Sequence, residues 1–133
     1  MLVKKARMFC EKKHKGQFRA DKTTPYAKHC IEVATIITVI RGEDRNLICA
    51  AYLHDILEDT KTTYEELKNE FNEDIADLVL EVTKTGYNKY PIKTQRGAIL
   101  KFADRLSNLN DMKDWSEKRK IDYIEKSRFW KEE

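Results

Sequence analysis

The sequence predicts an all-α protein of about seven helices, and three observations carry that prediction. Apolar residues recur at three- and four-residue spacing along most of the 133 positions. Helix-capping residues stand just before several of these runs, at Asp44, Thr63, Asn72 and Ser116. No hairpin signal, internal repeat or low-complexity tract competes with them.

Residues 2–13 form the first expected helix, with Val3, Ala6, Met8, Phe9 and Cys10 as its apolar positions and an end near Gly16. Residues 17–25 lack an apolar period and hold Asp21, Thr23, Thr24 and Pro25, so they read as a loop with Pro25 opening the next helix. Residues 26–41 carry Ile31, Val33, Ala34, Ile36, Ile37, Val39 and Ile40 and stop at Gly42; their length favours a buried helix over a strand. Asp44 caps a third helix expected to run to about Leu57. Thr63 with Glu66 forms a capping-box signature for a short helix through Phe71. Asn72 caps another, with Ile75, Ala76, Leu78, Val79 and Val82 on its apolar face. Residues 84–92, with Gly86 and Pro91, form the longest irregular segment and read as a flap over a site. Residues 93–112 return to helical spacing through Ile99, Phe102, Ala103, Leu106 and Leu109. A last helix follows Ser116, with Ile121, Tyr123, Ile124, Phe129 and Trp130.

The length accommodates one domain with one core, spanning 1–133. No apolar run is long enough to span a membrane, and Leu2-Val3-Lys4-Lys5 lacks a signal-peptide core. The cysteines, Cys10, Cys30 and Cys49, are odd in number and set among helical apolar residues, which predicts reduced thiols in a cytoplasmic protein. The net charge of +3 hides a division: residues 1–22 carry a net +6, residues 43–81 a net −9 and residues 84–133 a net +5. Carboxylates that hold a cation beside bases that attract an anion would produce this pattern, and so in part would solvated helix faces.

The most informative stretch is residues 47–60. Leu47, Ile48, Cys49, Ala50, Ala51 and Leu53 are apolar enough to lie in a core, and they deliver His54, Asp55, Glu58 and Asp59 directly after it. Ionised carboxylates beside a core are costly unless something pairs with them. On a helix Glu58 follows His54 by one turn and Asp59 follows Asp55 by one turn, so all four can border one cavity. A divalent cation would offset the desolvation. A mixed imidazole and carboxylate set suits Mn²⁺, Fe²⁺ or Zn²⁺. His54 and Asp55 supply two ligands at most, so other helices must complete the shell, with His29 and Asp104 as candidates. Taken singly, His29 reads more readily as a core histidine and Asp104 as half of a structural ion pair. Lys84, Lys101 and Arg105 are cations available to a phosphate, of which Lys84 and Arg105 rank first.

Five blocks then occur in order: Gly16-Gln17-Phe18-Arg19, Pro25-Tyr26-Ala27-Lys28-His29, His54 through Thr63, Val82-Thr83-Lys84, and Lys101 through Asn108. In these the chain resembles the HD-domain hydrolases of the RelA/SpoT family, most of all the small stand-alone alarmone hydrolases. The resemblance implies His29, His54, Asp55 and Asp104 as metal ligands, usually for Mn²⁺. It implies Glu58 and Asp59 as the pair that orients and deprotonates the attacking water, Arg19 against the purine and Asn108 at the ribose. The implied reaction is hydrolysis of the 3′-diphosphate of guanosine tetra- or pentaphosphate to GDP or GTP and pyrophosphate. The resemblance does not extend to the synthetase and regulatory domains of the bifunctional enzymes, so no synthesis is expected. Two departures stand out: Cys30 follows His29 where the family usually has proline, and the stretch between Thr83 and Asp104 is short, which bears on guanine preference. His14 resembles a family position that is not a ligand and takes a structural role.

Two other functions compete. One is a same-fold phosphohydrolase acting on another nucleotide, such as the 2′-phosphate of NADPH or a 5′-nucleotide; the other is a non-catalytic nucleotide-binding module, which would not need Glu58 and Asp59. Nucleic acid is a disfavoured partner, because Lys4-Lys5-Arg7 and Lys118-Arg119-Lys120 come with no groove-reading motif. The oligomeric state is left open.

Overall fold

The computed structural model describes residues 2–87, 89–110, 116 and 118–121. Among these, the chain forms α1 (Leu2–Lys13), α2 (Ala27–Ile40), α3 (Arg45–Leu53), α4 (Ile56–Asp59), α5 (Tyr64–Glu70), α6 (Glu73–Glu81) and α7 (Gln95–Asn110). The only β pairing among the described residues is isolated bridges, Phe18 with Pro25 and Gly86 with Lys89. The all-α prediction holds.

The centre of the fold is α3. Leu47, Ile48, Cys49, Ala50, Ala51 and Leu53 are all buried, so this helix is apolar on every side and must be surrounded. It packs against α1, α2 and α6 and touches α7. Ala6 of α1, Val33, Ala34 and Ile37 of α2, Leu67 of α5, Ile75 and Val79 of α6, and Leu100 and Ala103 of α7 complete the core. Truncating a fully buried leucine such as Leu53 in such a core costs about 2–5 kcal/mol.

The expected caps form. Leu47 N–H donates to Asp44 Oδ1 at 3.1 Å and Ile75 N–H to Asn72 Oδ1 at 2.8 Å. Glu66 N–H donates to Thr63 Oγ1 at 3.1 Å. The Glu66 carboxylate reaches across to Lys13 Nζ at 3.4 Å, a pairing with α1 that the local capping-box pattern did not predict. After α1 the chain turns through Gly16 at φ +87°, a conformation a Cβ would strain.

Two expectations require correction, and a third falls largely outside the described residues. The third helix does not continue to Leu57: it ends at Leu53, and α4 begins at Ile56. The cause is His54, whose imidazole Nδ1 takes the Ala51 carbonyl at 2.8 Å, the acceptor that Asp55 N–H would use in an unbroken helix. On α7, Phe102, Leu106 and Leu109 are exposed, while Leu100, Ala103, Asp104 and Ser107 face inward; α2 likewise exposes Val39 and Ile40. An apolar count cannot tell which of two apolar stripes a helix buries. Of the last helix, Ser116 Oγ accepts from Arg119 N–H at 3.2 Å ahead of a helical turn at 118–121; Tyr123, Ile124, Phe129 and Trp130 lie outside the described residues.

Candidate metal centre and active site

Four side chains from three segments converge on one point. α2 contributes His29 from its first turn, the break between α3 and α4 contributes His54 and Asp55, and α7 contributes Asp104. His29 Nε2 lies 2.8 Å from Asp104 Oδ1 and 3.8 Å from Asp55 Oδ2. His54 Nε2 lies 3.0 Å from Asp55 Oδ2 and 3.3 Å from Asp104 Oδ1. One donor atom from each residue falls within 4.8 Å of the others, and the rings stand 5.1 Å apart at 69°.

The outer nitrogens explain why both Nε2 atoms face this point. His54 Nδ1–H donates to the Ala51 carbonyl. His29 Nδ1 lies 3.1 Å from Ser107 Oγ, and Ser107 in turn donates to Glu32 Oε1 at 2.8 Å. With its hydroxyl proton committed to Glu32, Ser107 accepts from His29 Nδ1–H. Both imidazoles therefore present Nε2 inward, the tautomer that a metal ligand needs. Asp55 Oδ2 also accepts from the Tyr26 hydroxyl, and Asp104 Oδ2 pairs with Lys101 Nζ at 3.1 Å.

Charge in the cluster is balanced internally. Burial works against ionised Asp55 and Asp104, yet His54 holds both carboxyls below the ordinary range, with Lys101 adding to the effect at Asp104. For His54 burial would lower the pKa, and Asp55 and Asp104 outweigh it to hold the ring well above its usual value. A divalent cation on Nε2 would take that proton's place, because metal ligands bind deprotonated. Two inward imidazoles, two ionised carboxylates and an outer set of hydrogen bonds fit a transition-metal cation, so the cluster is able to hold one.

Glu58 and Asp59 lie at the rim on α4, both reachable from solvent, with the Asp59 carboxyl set against the cluster. Glu58 Oε2 accepts from Lys84 N–H at 2.6 Å, which ties the start of the irregular 84–92 segment to α4. The Asp59 carboxyl is pushed up to about 6 by partial burial, then by the charges of Asp55 and Glu58. Gln17 donates to the Asp59 carbonyl at 2.8 Å. Arg19 and Asn108, 89 residues apart, meet through Arg19 Nη2 to Asn108 Oδ1 at 2.7 Å, and the guanidinium lies 5.4 Å from the Tyr26 ring centre. Arg105 is buried, and Tyr90 covers Lys101 at 3.7 Å and Arg105 at 5.9 Å, so Tyr90 lies along this side of the cluster. What Lys84 contributes to this geometry is its backbone amide.

Sequence reasoning found the four converging residues but not their supports. Tyr26, Glu32, Lys101 and Ser107 form that outer set, and local spacing does not single them out. A signal existed: Glu32 is the only acid in α2, one turn after His29, and Ser107 is a hydroxyl on the buried face one turn after Asp104. The ion pair expected for Asp104 is present, with Lys101 Nζ as a partner.

A family model described as "HD domain" matches residues 6–96. The chain is 36% identical over 142 residues to the guanosine-3′,5′-bis(diphosphate) 3′-pyrophosphohydrolase MESH1 of Xenopus tropicalis, covering 93% of this chain and 79% of that protein. It is 36% identical over 135 residues to the human MESH1, covering 88% of this chain and 75% of the relative. It is also 38% identical over 135 residues to the enzyme of the same activity name from Aquifex aeolicus, covering 89% of this chain but 19% of that longer protein. A solved structure described as a metazoan ortholog of SpoT that hydrolyzes ppGpp superposes with a TM-score of 0.81 at 28% identity, over 96% of this chain and 82% of the other.

Proposed function

Because this chain belongs to the HD-domain family, we propose that it hydrolyses the 3′-diphosphate of guanosine tetra- or pentaphosphate, releasing pyrophosphate and leaving GDP or GTP. The observation that carries this reading is the convergence of His29, His54, Asp55 and Asp104 beside Glu58 and Asp59 on α4. Relatives of similar length that bear this activity name support the choice of substrate.

In this reading His29, His54, Asp55 and Asp104 hold one divalent cation, Mn²⁺ by preference. When bound, such an ion lowers the pKa of a water toward about 7 and offsets phosphate charge. Glu58 and Asp59 orient that water and accept its proton. Asp59, with its carboxyl near 6, is ionised at neutral pH and still basic enough for the task. Glu58 is anchored through Oε2 by Lys84 N–H, which leaves its other oxygen for the water in this reading. The water oxygen bonds to the phosphorus next to the ribose, the P–O3′ bond breaks, and O3′ leaves with the electron pair and takes up a proton. Arg19 packs against the purine, Asn108 meets the ribose, and Lys84 and Arg105 face the diphosphate. Lys101 keeps Asp104 ionised through their ion pair. The whole chain acts as one domain. No helix among the described residues is long and apolar enough to cross a membrane, and Cys10, Cys30 and Cys49 are free thiols, in keeping with a cytoplasmic setting.

The test is product identification from a panel of nucleotides with added Mn²⁺. Pyrophosphate released from 3′-diphosphate nucleotides alone supports the proposal. Orthophosphate from NADPH or a 5′-nucleotide would assign a different substrate to the same site. Tight nucleotide binding without turnover under any divalent cation would reduce the protein to a binding module. Asp104→Ala is expected to lose both metal and turnover with its helicity intact, as followed by metal analysis, assay and circular dichroism.

A further inference from the structure

Next to the proposed centre, where α1 meets α2, the structure gathers a second and chemically different donor set. Cys10 lies in the last turn of α1, and His14 follows one turn later, its N–H donating to the Cys10 carbonyl at 3.0 Å. Cys30 lies in the first turn of α2, directly after His29. Cys10 and Cys30 are fully buried and His14 is 2% exposed. One donor atom from each lies within 4.8 Å of the others.

The protonation of His14 can be read from its surroundings. Gln17 donates its amide N–H to the Asp59 carbonyl at 2.8 Å, which leaves its Oε1 toward His14 Nδ1, also at 2.8 Å. An amide oxygen only accepts, so Nδ1 carries the ring proton and Nε2 keeps a lone pair. That Nε2 is buried with no hydrogen-bond partner. An orphaned acceptor in a closed interior is costly, and an ion is one of the recognised reasons for finding one.

We propose that Cys10, His14 and Cys30 form a second metal site, specific for a thiophilic cation of the Zn²⁺ class and separate from the His29/His54/Asp55/Asp104 cluster. Two sulfurs and one imidazole nitrogen are the donors such ions select, whereas the neighbouring set of nitrogens and carboxylates is the harder one. The spacing fits: a Cys-x3-His pair on one helical face supplies two donors, and the next helix supplies the third. Binding displaces the two thiol protons to solvent and requires no oxidant. An ion held here joins the end of α1 to the turn of α2 that carries His29, so it braces the first centre without entering it.

Co²⁺ titration of reduced, metal-free protein tests this. Thiolate-to-cobalt charge-transfer absorption arises only from sulfur ligands, so the other cluster, which has none, is silent, and the outcome is independent of the proposed hydrolase activity. The expected result is a charge-transfer band that saturates within two equivalents in the wild type, where the other cluster takes up Co²⁺ silently, and at one equivalent in Asp104→Asn. It is expected to persist in Cys49→Ala and in Asp104→Asn, to vanish in both Cys10→Ser and Cys30→Ala, and to be erased by added Zn²⁺. No band in wild-type protein of intact helicity would overturn the proposal, with no dependence on whether any variant folds. So would a band that survives loss of Cys10, or a mass two hydrogens short that identifies a Cys10–Cys30 disulfide in the purified protein.

Discussion

At the scale of single residues, the two imidazoles of the cluster are oriented by unlike means. His54 is aimed by a main-chain carbonyl, which no substitution removes, whereas His29 depends on the Ser107 hydroxyl and, through it, on Glu32. Removing an outer hydrogen-bond partner of a metal ligand typically costs about 10–100-fold in metal affinity. Ser107→Ala is therefore expected to weaken Mn²⁺ binding by roughly that factor, with circular dichroism unchanged and Glu32→Gln showing a smaller loss. Calorimetric titration checks this, and wild-type affinity in Ser107→Ala would detach the hydroxyl from the centre. Glu58→Gln touches a different step. It is expected to leave metal affinity near normal and lower kcat by about a hundredfold, the scale of losing a general base. A fall in metal occupancy instead would make Glu58 a ligand.

At the scale of elements, the precision of Asp104 depends on how α7 begins. Glu81, buried at the end of α6, accepts from the backbone N–H groups of Lys93 and Thr94 at 3.1 and 3.0 Å and from the Thr94 hydroxyl. Thr94 Oγ1 in turn accepts from Gly97 N–H at 3.0 Å. A Cβ at position 97 would stand 2.0 Å from Glu81 Oε1, so glycine is the residue that lets the carboxylate approach. In an exposed helix interior, replacing glycine with alanine gains up to about 1 kcal/mol. Here the overlap must displace a buried, multiply bonded carboxylate, and overpacking of this kind costs about 1–3 kcal/mol. Gly97→Ala is thus expected to lower the thermal midpoint, and a higher midpoint would show that Glu81 yields without penalty. The break between α3 and α4 has a comparable logic, since the helix gives up its continuity where the imidazole needs the Ala51 carbonyl.

At the scale of the whole molecule, Arg96 joins three elements. It bonds Asp44 at the N-terminus of α3 at 2.8 and 3.0 Å and Asp74 in the first turn of α6 at 3.0 and 2.9 Å, while itself belonging to α7. Hydrogen bonds from Arg96 hold both carboxyls below their ordinary values. Groups with depressed folded-state pKa values contribute stability that is complete above the unfolded value, about 3.9 for aspartate, and is lost as pH falls through the folded one. Arg96→Met is expected to cost about 1 kcal/mol at neutral pH, a figure discounted for solvent screening of a partly exposed network. The difference in midpoint between wild type and variant should then shrink as pH is lowered below about 4. A difference that stays constant in acid would mean that Arg96 acts through packing of its stem.

Much of this molecule follows from order along the chain. Apolar spacing placed the helices, short polar side chains placed their caps, and residues 47–60 announced a buried run ending in ligand-type groups, because each is a property of residues a few positions apart. The five blocks that resemble HD-domain hydrolases supplied His29 and Asp104, which spacing alone left as ordinary core and ion-pair residues. Folding decided everything that spans long separations. It set Asp104 beside the nitrogens of His29 and His54, 75 and 50 residues distant. It seated Arg19 against Asn108, and it chose which stripe of α7 turned inward. It also brought the acidic middle of the chain together with its basic ends, since a charge can be counted in a sequence but its partner is fixed only when distant helices pack.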